Sequence, residues 1–307
     1  MTDITPRHSP SSARSTLDQL RPASAGPGAK LRALGLVATL GAALGLATAP
    51  HAHAICAPVP SALSAWWKMD TVNFGVSTPE IVASNHATIF GNPLTNVLGQ
   101  VDQSIYLNIS PDYLVAQDCQ TVDIGAGDFT MMAWVTTPQL TTGTMLSKLE
   151  LTGGGSVLEG YWFYLSQGNL PAFQARTAGG GVFNYVAFGT PQVNDGFFHL
   201  VAVTVDRNSA QGLRLSVDGV ESLAPFNPTA WQTQIQTNAD LFMGRIDPTI
   251  NAGGFHMTGN LDEVQIYKRA LSLAEIQAIH AAGPDGVCTD RVPRMRSCSS
   301  SGGGGMQ

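Results

Sequence analysis

The residue pattern predicts an all-β sandwich of two antiparallel sheets with one short helix near its C-terminal end. Three observations predict it. Short apolar or alternating runs recur from residue 61 to residue 268, each bounded by turn residues. The chain holds 33 glycines, and the groups at 153–155, 179–181 and 253–254 interrupt any longer element. Only one segment, after residue 271, carries helix-start chemistry.

The strands follow in order. Residues 63–69 are apolar and aromatic, with Trp66 and Trp67 adjacent. Residues 104–109 alternate, placing Ile105, Leu107 and Ile109 on one face. Residues 129–135, 161–165 and 183–188 are rich in β-branched and aromatic side chains. Residues 199–205 are apolar almost throughout, the pattern of a strand buried on both faces. Residues 213–217 alternate and end in Asp218-Gly219, a hairpin turn signal. Residues 241–244 and 261–267 complete the set. In the helix, Ser272 stands three residues before Glu275, the spacing of a capping box, and Gly283-Pro284 stops it.

The flanks read differently. Residues 33–49 form an uncharged run after Lys30 and Arg32, followed by Pro50 and the small-x-small sequence Ala52-His53-Ala54. Residues 1–54 therefore read as a signal peptide with a long basic leading region, cleaved after Ala54. A membrane anchor is the alternative, and the glycines at 35, 41 and 45 and the short length count against it. Residues 55–288 are expected to form the domain. Residues 289–307, ending in serines and glycines, are expected to be a disordered tail. The expected location is secreted, periplasmic or cell-surface.

Removing five basic residues (Arg7, Arg14, Arg21, Lys30, Arg32) and two acidic ones (Asp3, Asp18) from the chain's 16 and 22 leaves 11 and 20, a formal charge of −9. That balance repels phosphate backbones and anionic lipid, which argues against nucleic-acid partners and against membrane insertion of the cleaved chain. All four cysteines lie in the exported part, where disulfides are favoured. Three pairings are possible. Cys56 and Cys288 bracket the periodic region, and a bridge there would contribute about 4–5 kcal/mol in the chain-entropy picture. Cys119 and Cys298 then form the second pair or remain free thiols.

Three stretches give the chain a resemblance to a known family. The first runs from Cys56 through Pro58 to Trp66-Trp67. The second is Gly127-Asp128-Phe129-Thr130 leading to Trp134. The third runs from Asp195 through His199 to Asp206, then Leu215 to Gly219, Gly259 to Tyr267, and Arg269-Ala270-Leu271-Ser272, closing at Cys288. In that order they resemble the laminin-G-like, concanavalin A-like jelly-roll family, particularly its bacterial exported copies, across residues 56–288. Departures fall at Phe197, Phe198 and Asn108-Ile109, and Glu80 stands where the family's early loop Asp is expected.

The resemblance implies a non-catalytic binding module for carbohydrate or another extracellular ligand, with a structural or adhesive protein-binding domain as the alternative. It also implies a structural calcium near Asp262, with Asp70 and then Glu80 as further contributors. The competing reading is that Asp262 only accepts backbone N–H groups. Sugar-contacting candidates are Trp231, Tyr185, Arg176 and Tyr161. Trp231 lies in a polar stretch and is expected to be exposed, whereas Trp162 is expected in the core. Glycoside hydrolysis needs two carboxyls about 5–9.5 Å apart across a cleft. The chain offers only adjacent Asp262 and Glu263, expected on opposite faces, and the isolated pair Glu150 and Glu159. No catalytic residue is assigned: His199 reads as a satisfied core residue, and no phosphate-binding loop is present.

Overall fold

The computed structural model describes residues 56–108, 111–152, 157–177, 181–235 and 237–298. The expected signal segment, Ile109 and residues 299–307 lie outside these. The strands are β1 (Leu63–Trp67), β2 (Ser77–Thr78), β3 (Ala87–Phe90), β4 (Leu94–Leu98), β5 (Gln103–Leu107), β6 (Tyr113–Ala116), β7 (Phe129–Thr136) and β8 (Gly143–Thr152). They continue as β9 (Val157–Leu165), β10 (Pro171–Arg176), β11 (Val182–Val186), β12 (His199–Val205), β13 (Leu213–Val217), β14 (Val220–Glu221), β15 (Leu241–Met243) and β16 (Gly259–Tyr267), before helix α1 (Leu273–Ala282).

Two antiparallel sheets of eight strands result. Sheet I has the order β14-β13-β12-β7-β16-β5-β4, with β1 also paired to β16. Sheet II has the order β11-β10-β9-β8-β15-β6-β3-β2. This is a jelly-roll sandwich. The central strands of sheet I are buried on both faces, which is why β12 reads as an almost unbroken apolar run. In β7, Met131, Ala133 and Val135 enter the core between the sheets, while Met132 and Trp134 enter a second cluster beneath α1. β12 divides likewise, Val201, Val203 and Val205 inward and Leu200 and Ala202 outward. The tryptophan pair also splits, Trp67 to the core and Trp66 to the helix side, both fully buried.

Helix α1 begins as its residues require. Ser272 accepts from the Glu275 backbone N–H, the Glu275 carboxylate accepts in return, and Ile276, Ile279 and Ala282 are buried. The ends of the domain are bridged by Cys56–Cys288, with Cα atoms 5.0 Å apart. The second bridge is Cys119–Cys298, with a Cα separation of 5.8 Å. It corrects the expectation of a free tail from 289. Met295 N–H donates to the Val82 carbonyl at 2.8 Å and Cys298 N–H to the Ala83 carbonyl at 3.1 Å, so residues 289–298 are tied to the domain. Among the described residues no helix is long and apolar enough to cross a membrane.

His199 locks sheet I to α1. Its Nδ1 lies 2.7 Å from Asp218 and its Nε2 2.9 Å from Asp195, and Asp218 is also 3.5 Å from His280 on the helix. The Asp218 hydrogen bond, outweighing burial, holds the imidazole above its ordinary 6.5, with Asp195 adding to the effect. A raised folded-state value means the stabilisation is complete below 6.5 and is lost as pH rises through the folded value. The difference in urea midpoint between wild type and His199→Asn is therefore expected to be largest near pH 6 and to shrink on the alkaline side. A difference that grows with pH would contradict this assignment.

Candidate functional site

An open cleft of ≈ 700 Å³ lies where three inter-strand loops meet. Thr141 and Thr142 come from the β7–β8 loop, Gln167 from β9–β10, and Asn251, Phe255, His256 and Thr258 from the long β15–β16 loop. That long loop is laced down by backbone hydrogen bonds. Gly244 N–H donates to Met145, Ile246 N–H to Gly254, Met257 N–H to Gly244, and Thr144 N–H to Phe255. Ile246 and Ile250 pack with Trp162, Tyr164 and Ala172 on the outer face of sheet II. The outcome at Phe255 is a ring 41 % exposed on a backbone held at φ 42°. A bulky residue in that region is strained, and such strain persists only where neighbours over-determine it.

Beneath Phe255 runs an aromatic array. Its ring centroid is 5.1 Å from that of Trp162, which in turn stacks on Tyr164 at 3.8 Å and 16°. Trp162 Nε1 donates to Thr144 Oγ1 at 3.0 Å and the Tyr164 hydroxyl to Asn184 Oδ1 at 3.0 Å, so both rings are fixed. Gln139 braces the opposite wall. Its Oε1 accepts from Thr258 N–H at 2.8 Å, and its amide nitrogen donates to the His256 carbonyl at 2.9 Å and Thr141 Oγ1 at 2.7 Å. An exposed aromatic face beside hydroxyls and amides is a surface for a ligand with both C–H faces and many hydroxyls.

A second centre lies on sheet I. Asp70, Asp262 and Glu263 each bring a carboxylate oxygen to within 4.8 Å of the others. The sequence placed Asp262 and Glu263 on opposite faces; the structure corrects this. β16 shifts register between Asp262 and Gln265, and Glu263 takes φ 50°. Leu261 and Val264 both reach the core between the sheets, so the extra residue of the bulge leaves two consecutive carboxyls outside it. Asp262 Oδ2 accepts from Gln100 N–H at 2.9 Å and Val101 N–H at 3.0 Å. That approach requires Gly99, where an added Cβ would come 2.7 Å from the same oxygen.

Asp262 Oδ1 and Glu263 Oε1 are buried with no hydrogen-bond partner among the described residues. Burial pushes the Asp262 carboxyl up to about 8 and drives that of Glu263 well above its ordinary value, the Asp262 charge adding to the latter. Asp70 is held by Lys68, 2.6 Å away, and accepts from Gln103 N–H. Two orphaned oxygens in an all-oxygen donor set suit a hard cation.

Glu80 does not join them. Its oxygens accept backbone N–H bonds from Trp66, Val82, Ala83 and Asn85 at 2.6–3.2 Å. It organises the loop after β1 and has no capacity left for a cation.

The expected sugar platform is also corrected. Trp231 is 1 % exposed, closing one end of the core against Phe183, Phe226 and Phe173. Its polar neighbours face outward while Arg207 holds the loop, donating to the carbonyls of Trp231, Thr233 and Gly125. Tyr161 is buried, donating to the Val122 carbonyl, and Tyr185 is buried against Ser222 and Ala224. Arg176, at the end of β10, donates to Gln174 and lies away from the cleft lining. Trp162 is buried as expected, though on the outer face of sheet II rather than between the sheets. Glu150 and Glu159 are register partners in β8 and β9, and neither lines the cleft. Phe255 was missed; its signal was an aromatic residue directly after Gly253-Gly254.

A two-sheet jelly roll with a loop-built cleft at one end defines the class of lectin-like sandwich domains. The chain belongs to the concanavalin A-like lectin/glucanases superfamily, whose family model matches residues 110–277. No curated protein sequence matches it.

Among solved structures, the chain is similar to the ligand-binding domain of botulinum neurotoxin serotype D in complex with N-acetylneuraminic acid. The TM-score is 0.54 and the identity 10%, covering 72% of this chain and 50% of that one. The receptor-binding domain of the botulinum neurotoxin C/D mosaic serotype matches at TM-score 0.54 and 10% identity, covering 72% and 51%. That of botulinum neurotoxin type G matches at 0.51 and 14%, covering 72% and 51%. The chain spans about half the length of these structures, and the likeness is one of fold.

Replacing Glu80 by Ala orphans four buried N–H groups and is expected to cost about 2–4 kcal/mol in urea unfolding. The loss should be the same with and without added calcium. A loss confined to calcium-containing buffer would return Glu80 to the cation ligands.

Proposed function

We propose that the protein is a non-catalytic, exported recognition module that binds glycans in the cleft capped by Phe255. The observation that carries this reading is the fixed, strained, partly exposed Phe255 ring, seated on the Trp162–Tyr164 stack and facing amide and hydroxyl side chains. An aromatic face covers the apolar C–H face of a pyranose, and amides and hydroxyls pair its rim hydroxyls. The solved neighbours whose fold this chain shares are described as binding domains, one of them holding a sialic acid, which supports recognition over catalysis. The two disulfides accord with an oxidising, extracytoplasmic setting.

We also propose calcium at Asp70, Asp262 and Glu263. The cation would supply positive charge to the orphaned oxygens of Asp262 and Glu263, while Gln100 and Val101 keep the other Asp262 oxygen oriented. Its role is structural, pinning the loop around Gly99 to the bulge of β16.

Two measurements test the reading. Glycan-array screening of the exported chain is expected to give retained signals that Phe255→Ala reduces by about tenfold or more, in the range set by loss of one stacked aromatic. Trp231→Ala should instead destabilise the whole fold by about 3–5 kcal/mol, as for a buried large aromatic. Uniform silence on the array would remove the glycan assignment. For calcium, millimolar additions are expected to raise the melting temperature of wild type but not of Asp262→Asn, and equal shifts in both would dismiss the centre.

A further inference from the structure

The cleft's chemistry narrows its ligand, an inference that rests on the glycan reading above. We infer that the site selects uncharged saccharides and discriminates against acidic ones such as uronates and sialylated glycans. Among the described residues, not one Lys, Arg, Asp or Glu lines it.

The charged groups nearby are not part of its lining. Arg245, whose guanidinium underlies Gly254, is 5% exposed; its Nε donates to the Ile246 carbonyl and it lies 5.1 Å over the Tyr113 ring. The Asp247 carboxylate accepts from the N–H and hydroxyl of Thr249, both at 2.7 Å, and so closes a local turn. His256 is held below its ordinary value by burial and by Arg245; its Nδ1 is buried with no partner among the described residues, which leaves Nε2 to meet a ligand.

What remains for a ligand is neutral. Asn251 spends its Oδ1 on Gly253 and Gly254 N–H, leaving its amide nitrogen without a partner among the described residues, and Gln167 makes no side-chain hydrogen bond among them. These amides can replace the water around sugar hydroxyls one for one. A carboxylate entering the same space would lose its hydration with no cation in the lining to pair with it, a cost that the 5% exposed Arg245 beneath Gly254 is too buried to offset by direct contact. The formal charge of −9 on residues 55–307 adds long-range repulsion of anionic chains. This differs from the solved neighbour complexed with N-acetylneuraminic acid, an acidic ligand.

The test pairs neutral oligosaccharides with acidic counterparts: lactosamine with sialyl-lactosamine, galacto-oligosaccharides with oligogalacturonates, and gluco-oligosaccharides with oligoglucuronates. Binding to the exported chain is measured by calorimetry at about 50 and 500 mM salt, where screening lengths differ severalfold. Neutral members are expected to bind with little salt dependence, and their acidic partners about tenfold or more weaker. Thr141→Arg, which places a guanidinium on the exposed rim of the cleft, is expected to raise acidic-ligand affinity.

Tighter, salt-sensitive binding of the acidic members by wild type would overturn the inference and leave glycan recognition standing. Silence of both series, or binding that Phe255→Ala does not weaken, would overturn the glycan reading itself and this inference with it.

Discussion

Strand β16 is the constraint on which the rest of the molecule depends. It sits inside sheet I, paired with β7 on one side and with β1 and β5 along the other. Both of its faces are covered, so every polar group on it must be met within the protein. Gln265 and Tyr267 satisfy one another on the helix side, the tyrosine hydroxyl donating to Gln265 Oε1 at 2.6 Å. Glu263 accepts from Trp66 Nε1 at 2.6 Å, and Asp262 takes the two N–H groups of the loop near Gly99. The bulge thus costs a regular ladder and obtains a concentration of carboxyl groups that a flat strand would have dispersed to both faces.

The cleft follows a different logic. Its walls are inter-strand loops; behind Phe255 lie sheet aromatics locked by side-chain hydrogen bonds, and the long loop that carries Phe255 is pinned by backbone hydrogen bonds at Gly244, Ile246, Gly254 and Met257. A ligand entering a cleft built this way would cost the protein little conformational freedom. The unfavourable backbone of Phe255 is sustained by the Thr144 hydrogen bond and by the hydrophobic anchoring of Ile246 and Ile250.

Much of this architecture was legible in the residues. β12 announced itself as an almost unbroken apolar run because α1 covers the outer face of sheet I there, β7 showed as a β-branched and aromatic run, and the Ser272–Glu275 box marked that helix directly. Cys56 and Cys288 bracketed the strands and proved to be joined. What stayed hidden depended on contacts distant in sequence. Trp231 has polar neighbours, yet its ring folds back into the core because Arg207 captures its loop from 24 residues away. The bulge at Glu263 leaves no mark in a run that alternates plausibly without it. Glu80 shares its residue type with metal ligands, but four inward-pointing N–H groups decide its role.

The two centres are linked by the same strand. Thr258 lines the cleft immediately before β16 begins, and Asp262 stands four residues later, on the order of 13 Å along an extended chain. Thr258 is clamped by Gln139, which accepts its N–H, while the Thr258 carbonyl accepts from Thr137 Oγ1. A displacement of β16 along its axis would therefore disturb the carboxyl cluster and the wall of the cleft together. Neutralising the orphaned oxygens of Asp262 and Glu263 removes the main electrostatic cost of keeping β16 in register. A cation there would act on recognition without touching the ligand, by fixing the strand on which one wall of the cleft is hung.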